Sequence, residues 1–512
     1  MIGAIGSATL TLMSDERLSA QALDAVTDAA LSAAERLGCD VASLRVERIR
    51  NQYVALRDGA VEGAVDDEEF GIGLRVVHGG SMGFAATVAG GADAAAGLAA
   101  RAVEAARVAA RAGGPPAELA AEPSYGSVEW TAPYRLDPIA VPFAEKADLL
   151  RDWSGRLLGS PRIDHVSATL SAAAEEKYYA DLSGTRARQH RVRVHPVVEA
   201  VAIDSPSGAF ETLRTCAPPV GRGYEYLVGD GWDFDAELAE MPELLAEKLA
   251  APSVEPGRYD LVLDPTHLWL TIHESVGHAT ELDRALGYEA AYAGTSFASF
   301  DKLGSLRYGS DMMHIVGDRT TPYGLATVGY DDEGVEAQSF DIVRDGVLVG
   351  FQLDRRIAAE AGFARSNGCA FADSPLHIPI QRMANVSLEP APGVGPSTQD
   401  LIAGVERGIY IVGDKSWSID QQRYNFQFTG QRCFKIDHGR LVGQLRDVAY
   451  QSITTEFWAS LAALGGRSTY LLAGATNCGK GQPGQGAPVS HGCPSTLFRD
   501  VAVLNTRQES GR

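Results

Sequence analysis

The chain has 512 residues, of which 45% are hydrophobic and 22% are charged. This composition is typical of a globular protein of roughly two to four domains and excludes a disordered chain. The 66 acidic residues outnumber the 45 basic ones, which gives a net charge of −21. A charge of this sign repels phosphate backbones and anionic lipids, and no basic patch offsets it. We therefore expect no binding to nucleic acid or to membranes.

Signals of export and membrane insertion are also missing. No Lys or Arg precedes Arg17, so the apolar first 13 residues do not resemble a secretory leader. No run of 18 apolar residues predicts a spanning helix. The six scattered cysteines do not form the dense framework of a secreted disulfide protein. These features predict a cytoplasmic protein, in which a special cysteine is a candidate ligand or nucleophile.

Residues 1–115 are expected to form an N-terminal α/β unit. Helical and alternating apolar patterns follow each other, and Gly113-Gly114-Pro115-Pro116 then opens a linker. The predicted elements are a helix over 19–37, hairpin turns at Asp58-Gly59 and Gly79-Gly80, and an Ala-rich helix over about 91–112.

Residues 125–250 are expected to form a middle α/β unit. Its predicted elements are a helix near 143–158 and a hairpin turning at Asp181-Leu182-Ser183-Gly184. Four arginines of this hairpin do not share one strand face, because they divide between the two parities. They predict a solvated or salt-bridged surface, with a substrate or partner contact as the alternative. These arginines are Arg186, Arg188, Arg191 and Arg193.

Residues 257–512 are expected to form the C-terminal unit, after a break that contains Pro252 and Pro256. This unit is rich in strands and hairpins, with predicted turns at Asp345-Gly346 and His438-Gly439. One predicted helix near its start interrupts the strand pattern and carries the main motif of the sequence.

The motif is His273-Glu274-Ser275-Val276-Gly277-His278. Asp264 is a suitable N-cap for its helix, and Pro265 suits the first helical position. Apolar residues at four-residue spacing give the helix a stripe that we expect to be buried. These residues are Leu268, Ile272 and Val276. The motif side chains are therefore expected to lie on a rigid element.

The two histidines of the motif are five residues apart, not four as in the familiar zinc motif. On a regular α-helix this spacing places them about 140° apart, which is poor for sharing one ion. Five residues is the repeat of a π-turn, so we predict a π-bulge or a break near Ser275–His278. Gly277 would lower the cost of such a distortion. The alternative is two unrelated histidines, one on the surface and one in the core.

Two histidines leave a catalytic zinc ion in need of a third protein ligand. The candidates are Cys478, in a Gly-rich segment, and the pair His491 and Cys493. A thiolate is a good zinc ligand, and Lys480 would favour the thiolate form of Cys478 electrostatically. The residues alone do not decide among the three, and each cysteine has the alternative of a small buried apolar side chain.

The segment from His273 to Asp283 resembles the signature of the TldD subunit in the TldD/TldE (PmbA) metalloprotease family. Further blocks resemble the family in order along most of the chain. They are Gly71-Ile72-Gly73-Leu74-Arg75-Val76 with Gly83-Phe84-Ala85, Asp332-Glu333-Gly334, Arg382-Met383-Ala384-Asn385 and Asn477-Cys478-Gly479-Lys480.

The resemblance implies a zinc peptidase with an α+β fold. Its N-terminal α/β region would carry helices on an antiparallel sheet, and its C-terminal domain would be largely antiparallel, barrel-like β with one motif-bearing helix. The resemblance implies His273, His278 and Cys478 as Zn²⁺ ligands and Glu274 as catalytic base. It also implies a TldD-type catalytic subunit that acts on short or unfolded peptides, with a TldE/PmbA-like paralogue or a second copy as partner.

Two further positions bear on this site. Glu281 follows His278 by three residues and could accept its second ring N–H, with a solvated helix acid as the alternative. Within 412–427 the sequence departs from the Gly-rich run that the family often has, and reads Gly413 to Asp420 instead. We expect this departure to alter the substrate cleft.

Other functions are weaker interpretations of the same sequence. A non-catalytic modulator with a vestigial metal motif would show no chelator-sensitive hydrolysis, and the intact His-Glu pair and the cysteine argue against it. Association with nucleic acid is disfavoured by the charge of −21. A nucleotide site at Gly221-Arg222-Gly223 lacks the third glycine and the following helix that such a loop needs.

Overall fold

The computed structural model describes residues 18–113, 116–229 and 231–509. The apolar first 13 residues and Gly114-Pro115 of the predicted linker lie outside these ranges. The fold is mixed α+β, as the sequence predicts. None of the helices within the described ranges is both long and apolar enough to cross a membrane.

One seven-stranded sheet forms the first half of the molecule. Its strands are β1 (Val41–Arg57), β2 (Ala60–His78), β3 (Ser81–Thr87), β4 (Ser127–Thr131), β5 (His165–Asp181), β6 (Arg186–Asp204) and β7 (Ala209–Arg214). The order is β3-β2-β1-β5-β6-β4, and β7 also pairs with β6. Neighbours are antiparallel except for the parallel pair β4–β6. The three hairpin turns predicted between β1 and β2, β2 and β3, and β5 and β6 are confirmed.

Four long helices accompany this sheet. They are α1 (Ala20–Arg36), α2 (Ala92–Ala112), α3 (Phe143–Leu158) and α4 (Phe234–Ala250). The first three confirm the helices expected from the sequence. The fourth was not predicted, because Pro242 interrupts its helical pattern and a proline normally ends a helix. It nevertheless buries Leu238 and Leu245 against the core shared with α3.

Strand β1 shows how the sheet separates two layers, since alternate residues of a strand point to opposite faces. Leu44 and Val54, which have the same parity, pack in the cores that contain the four helices. Arg45 and Glu47 have the other parity and are also buried. Arg45 contacts Asp332 of the C-terminal region, so this face of the sheet lies against that region.

The strands of the C-terminal region are β8 (Gly257–Leu263), β9 (Ile315–Asp318), β10 (Ser339–Arg344), β11 (Val347–Leu348), β12 (Ala370–Phe371), β13 (Ile380–Gln381), β14 (Asn385–Leu388), β15 (Arg407–Ile419), β16 (Asn425–Asp437), β17 (Arg440–Gln444), β18 (Val448–Ile453), β19 (Leu461–Leu464), β20 (Leu471–Lys480), β21 (Gln485–Cys493) and β22 (Thr496–Asn505). Five of them close a barrel in the order β15-β8-β22-β18-β16, because β15 also pairs with β16. Only β8 and β15 run parallel within it. The hairpins β10–β11 and β16–β17 confirm the turns predicted there.

The helices of this region are α5 (Pro265–Ile272), α6 (Leu282–Ala285), α7 (Arg355–Glu360), α8 (Thr398–Ala403), α9 (Thr454–Ala459) and α10 (Thr506–Glu509). The first is the predicted motif-bearing helix. The other five have four to six residues each and were not predicted, because such short pieces show too few turns for a periodic pattern.

A buried charge cluster joins the large sheet to the C-terminal region. Lys177 of β5 lies 2.8 Å from a carboxylate oxygen of Asp332 and 3.1 Å from one of Glu47. Arg45 of β1 lies 3.0 Å from the other oxygen of Asp332. Burial opposes ionisation of Asp332, but Lys177 and Arg45 together lower its pKa below the ordinary value. The carboxylate is therefore held as an anion between two strands of the sheet.

Two of the four arginines of the β5–β6 hairpin take part in ion pairs, although Arg191 is buried and not on the surface that the sequence predicted. Arg191 and Arg193 both pair with the buried Glu175 of β5.

Strands from before and after the predicted linker share the large sheet. The domain limits at 115, 125, 250 and 257 stay predictions.

Candidate metal centre

The motif helix begins where its sequence predicts and continues into a π-turn. Asp264 accepts a hydrogen bond of 3.0 Å from the backbone N–H of Thr266, and Pro265 occupies the first position. The predicted apolar stripe is fully buried in the core of the C-terminal region. A π-turn over His273–Gly277 follows, in which the N–H of His278 bonds the carbonyl oxygen of His273. The predicted π-bulge is confirmed.

Side chains satisfy backbone carbonyls that the π-turn displaces from the regular ladder. The hydroxyl of Tyr308 donates to the carbonyl oxygen of Ser275 at 2.5 Å. The amide of Gln352 donates to the carbonyl oxygen of Gly277 at 2.8 Å. The distorted turn is thus fixed by its surroundings, and a rigid site results.

Gly277 is needed here for space. Its φ of −52° is ordinary helical backbone, so conformational freedom, which the sequence suggested, is not its role. A Cβ at this position would lie 2.6 Å from Sδ of Met383 and 3.4 Å from Cε1 of His491. The bare backbone lets these two side chains pack directly behind the π-turn.

The π-turn brings the two motif histidines together, with ring centroids 4.6 Å apart. Cys478 of β20 completes the group, and one donor atom from each of His273, His278 and Cys478 lies within 4.8 Å of the others. The sulfur of Cys478 lies 3.4 Å from Nε2 of His278. All three side chains are buried, with 5% of each residue exposed.

The other two candidates for a third ligand are not part of this three-residue group. Cys493 of β21 directs its sulfur to the carbonyl oxygen of Pro265, at 3.7 Å, at the opposite end of α5. Burial raises the pKa of this thiol well above the usual value, so Cys493 is a small buried thiol. His491 of β21 contacts His273, with Nε2 of His491 2.8 Å from Nδ1 of His273.

Hydrogen bonds determine which ring nitrogens are free. Nδ1 of His491 lies 2.8 Å from the carbonyl oxygen of Val386, which can only accept, so this nitrogen carries the proton. Burial is the largest cause, and the neighbouring His273 the second, of a pKa of His491 that lies well below its ordinary value. The ring is therefore neutral. Its Nε2 therefore accepts from Nδ1 of His273. The lone pair of Nε2 of His273 is left for an ion.

His278 is oriented by a carboxylate. Its Nδ1 lies 2.9 Å from a carboxylate oxygen of Glu281, as the sequence interpretation of Glu281 expects. Burial opposes ionisation of Glu281, but Lys480 and His278 hold its pKa well below the ordinary value. An anionic Glu281 accepts the Nδ1 proton, and the lone pair of Nε2 faces Cys478.

Lys480 supports the centre in a way that the sequence did not predict. Its amine lies 3.1 Å from Glu281, 2.8 Å from Asp283 and 3.2 Å from Glu289. It therefore compensates three buried carboxylates and acts on the thiol of Cys478 only indirectly.

The cation beside Cys478 is Arg382, which donates from Nη2 to the carbonyl oxygen of Cys478 at 2.7 Å. Burial opposes ionisation of the thiol, but His278 and Arg382 lower its pKa below the usual value. Nε and Nη1 of Arg382 are buried without a hydrogen-bond partner in the described structure. The surroundings of Cys478 therefore favour a thiolate.

Glu274, the candidate base, pairs with a residue that sequence reasoning missed. Arg423 donates to its carboxylate from Nη1, and both side chains are largely buried, at 14% exposed for Arg423 and 5% for Glu274. Arg423 lies 149 residues away, within the segment where the sequence departs from the family pattern. That departure was the signal that could have drawn attention to it.

The donor set fits zinc. Zinc bond lengths of about 2.0–2.1 Å to nitrogen and about 2.3 Å to sulfur give a tetrahedral N–S separation of about 3.5 Å. The observed separation between Cys478 and His278 is 3.4 Å. Imidazole nitrogens and thiolate sulfurs are both zinc ligands, and three protein ligands leave the fourth position of a catalytic zinc for water.

Two models of one protein family match the chain. The model described as the PmbA/TldA metallopeptidase C-terminal domain matches residues 256–505, and that of metallopeptidase domain 1 matches residues 42–106. Together they cover more than half of the chain. The first match contains the motif helix and Cys478.

Curated relatives carry corresponding names. A metalloprotease of Methanothermobacter thermautotrophicus is 29% identical over 475 residues, which are 91% of this chain and 96% of that protein. A zinc metalloprotease TldD homologue of Saccharolobus solfataricus is 26% identical over 226 residues, which are 44% of this chain and 48% of that protein.

A solved structure shows the same fold. TldE from Thermococcus kodakarensis superimposes with a TM-score of 0.68 at 15% identity, over 93% of this chain and 99% of that chain. At this identity the likeness concerns the fold alone. With the family models and the curated relatives, it leads to one conclusion: this chain belongs to the PmbA/TldD metallopeptidase family.

Proposed function

We propose that this protein is a zinc-dependent peptidase that hydrolyses peptide bonds in short or unfolded peptides. The observation that carries the proposal is the meeting of His273, His278 and Cys478 around one point, with Glu274 next to the first histidine in sequence. The name of the zinc metalloprotease from Saccharolobus solfataricus supports the choice of metal.

His273, His278 and Cys478 would hold the zinc ion. When bound, zinc makes a water molecule more acidic and polarises a carbonyl group. Glu274 accepts a proton from the water that attacks the scissile carbonyl carbon, and later delivers this proton to the leaving amine. His491 and Glu281 keep the two imidazole rings in the tautomer and orientation that ligation requires.

We further propose that the chain is a TldD-type catalytic subunit that pairs with a TldE/PmbA-like paralogue or with a second copy of itself. The complete metal-ligand set supports the catalytic role within such a pair. The cytoplasm is the proposed location, since all six cysteines, which lie within the described residues, are free thiols and four of them are buried.

A peptide digest tests the proposal. An unstructured peptide is incubated with the chain alone and with a co-expressed paralogue, each with and without a chelator, and products are identified by mass. Hydrolysis should be lost with chelator and restored by zinc. The variant Glu274→Gln should keep its zinc and lose about 10²–10⁴ in rate. A non-catalytic modulator would instead show no chelator-sensitive products in any arm, and wild-type rates in Glu274→Gln would refute the role of Glu274.

A further inference from the structure

A guanidinium group contacts the candidate base beside the metal centre. Arg423 donates from Nη1 to the carboxylate of Glu274, and among the described residues its side chain has no other hydrogen-bond acceptor. Nε of Arg423 is buried without a partner in the described structure. Since a buried N–H without an acceptor is costly, these donors point to an oxygen that arrives with the substrate.

A rigid turn holds Arg423 in place. The carboxylate of Asp420 accepts from the backbone N–H groups of Gln422, Tyr424 and Asn425, at 3.0, 2.8 and 3.0 Å. Arg423 itself has φ of 63°, a conformation that non-glycine residues seldom adopt without such support. The turn therefore presents one specific side chain to the metal centre.

The turn is also anchored to a neighbouring loop. The backbone N–H groups of Thr295 and Phe297 bond the carbonyl oxygens of Gln421 and Gln422, at 3.0 and 2.9 Å. Arg423 contacts Glu274 and is more exposed than the three candidate ligands, as a side chain that meets substrate must be. A peptide bond next to Glu274 is thereby brought next to the guanidinium.

We propose that Arg423 is a catalytic residue that binds the carbonyl oxygen of the scissile peptide as negative charge develops on it. Water loses a proton to Glu274, its oxygen bonds the carbonyl carbon, and the C=O π-electron pair moves onto the carbonyl oxygen. Arg423 donates a hydrogen bond to this oxyanion and keeps all its protons. A fixed donor aimed at a developing oxyanion in a buried site typically contributes about 10²–10³ in rate.

This inference rests on the proposed peptidase function, and steady-state kinetics test it. The variants are Arg423→Ala, Arg423→Lys and, as matched control, Gln422→Ala, which changes the exposed neighbouring side chain on the same turn. Arg423→Ala should lower kcat by about 10²–10³ and leave KM and zinc content close to wild type. Arg423→Lys should recover part of kcat, and Gln422→Ala should behave as wild type.

A second measurement separates oxyanion binding from an effect on structure. A peptide in which a phosphinate replaces the scissile amide mimics the tetrahedral state, and its inhibition constant is measured for each variant. Arg423→Ala should weaken the phosphinate by about the factor lost in kcat/KM, because both depend on the same contact. Guanidinium chloride at millimolar concentration should restore part of the activity of Arg423→Ala.

The outcomes are distinguishable. If the wild-type chain shows no chelator-sensitive hydrolysis, the proposed function fails and this inference fails with it. If the wild type is active and Arg423→Ala keeps its kcat, only this inference fails. It also fails if Arg423→Ala raises KM alone, loses its zinc, or binds the phosphinate as tightly as the wild type does.

Discussion

Nδ1 of His273 and Nε2 of His491 lie 2.8 Å apart, and His491 is itself fixed by the carbonyl oxygen of Val386. The proton positions along this chain of contacts leave one lone pair on His273 for an ion. The metal centre is thus prepared by a neutral imidazole that need not touch the ion. Metal-binding histidines more often donate to a carboxylate, a backbone carbonyl or water.

Removing this imidazole should weaken metal binding while the ligands stay in place. The variant His491→Leu leaves Nδ1 of His273 without an acceptor, so we expect zinc affinity to fall by about 10–100-fold. Competition with a chromophoric chelator measures the affinity. His438→Ala, at an exposed position, is the control and should bind zinc as the wild type does. Unchanged affinity in His491→Leu would show that the contact does not orient His273.

The two buried cysteines at the ends of α5 should respond differently to substitution. Cys478→Ala removes a proposed ligand and should lose its zinc on purification, whereas Cys493→Ala should keep it, because Cys493 lies against Pro265. Elemental analysis of both proteins decides the matter. Full zinc occupancy in Cys478→Ala would move the third ligand to another residue.

Lys480 should matter for folding even without metal. The variant Lys480→Met leaves the carboxylates of Glu281, Asp283 and Glu289 buried without their shared cation. Breaking a buried ion pair costs about 3–5 kcal/mol, and we expect the free energy of unfolding of the zinc-free chain to fall by that amount. Urea denaturation measures it.

Lys415→Met is the control for this experiment. It removes a half-exposed lysine that lies 4.0 Å from Glu211, and it should cost less than about 1 kcal/mol. Equal losses of unfolding free energy in the two lysine variants would mean that the amine of Lys480 does not stabilise the buried carboxylates.

Acid should destabilise the chain partly through His195. Burial, and to a smaller extent the positive charge of the nearby Arg214, lowers the pKa of His195 to about 4. Below about pH 6.5 the unfolded chain binds a proton at this ring and the folded chain does not, so stability is lost as the pH falls from about 6.5 to about 4. The loss is at most about 3 kcal/mol, and less because the ring is partly exposed.

The variant His195→Asn tests this assignment, since it removes the titrating group. Its free energy of unfolding, measured by urea denaturation at several pH values, should fall less steeply than that of the wild type across this interval. Parallel curves for the two proteins would show that another group is responsible.

Local signals in the sequence predicted much of the fold and part of the site. The cap at Asp264, the hairpin turns and the π-turn depend on residues close together in the chain, so their patterns are visible in a single sequence. The contact of Glu281 with His278 could be predicted for the same reason, because the two residues are three positions apart in the chain. Only the family resemblance implied a barrel-like C-terminal domain, and neither it nor the residues predicted that β15 and β16 close the barrel.

Contacts between distant segments could not be predicted in this way. His491 lies 218 residues from His273, and Arg423 lies 149 residues from Glu274. A lone arginine in a turn and a lone histidine in a strand carry no local sign of such partners. Lys480 shows a related difficulty, because its place beside Cys478 suggested a role that the geometry assigns to Arg382.

The charge cluster around Asp332 has a practical consequence for dissecting the molecule. A fragment that starts at residue 257 would keep the three candidate metal ligands but lose both cations that hold Asp332 as an anion. The same cut would expose to solvent the surface of the C-terminal region that strands β1 and β5 cover. A shortened form of this chain should therefore retain strands β1 and β5 together with the C-terminal region.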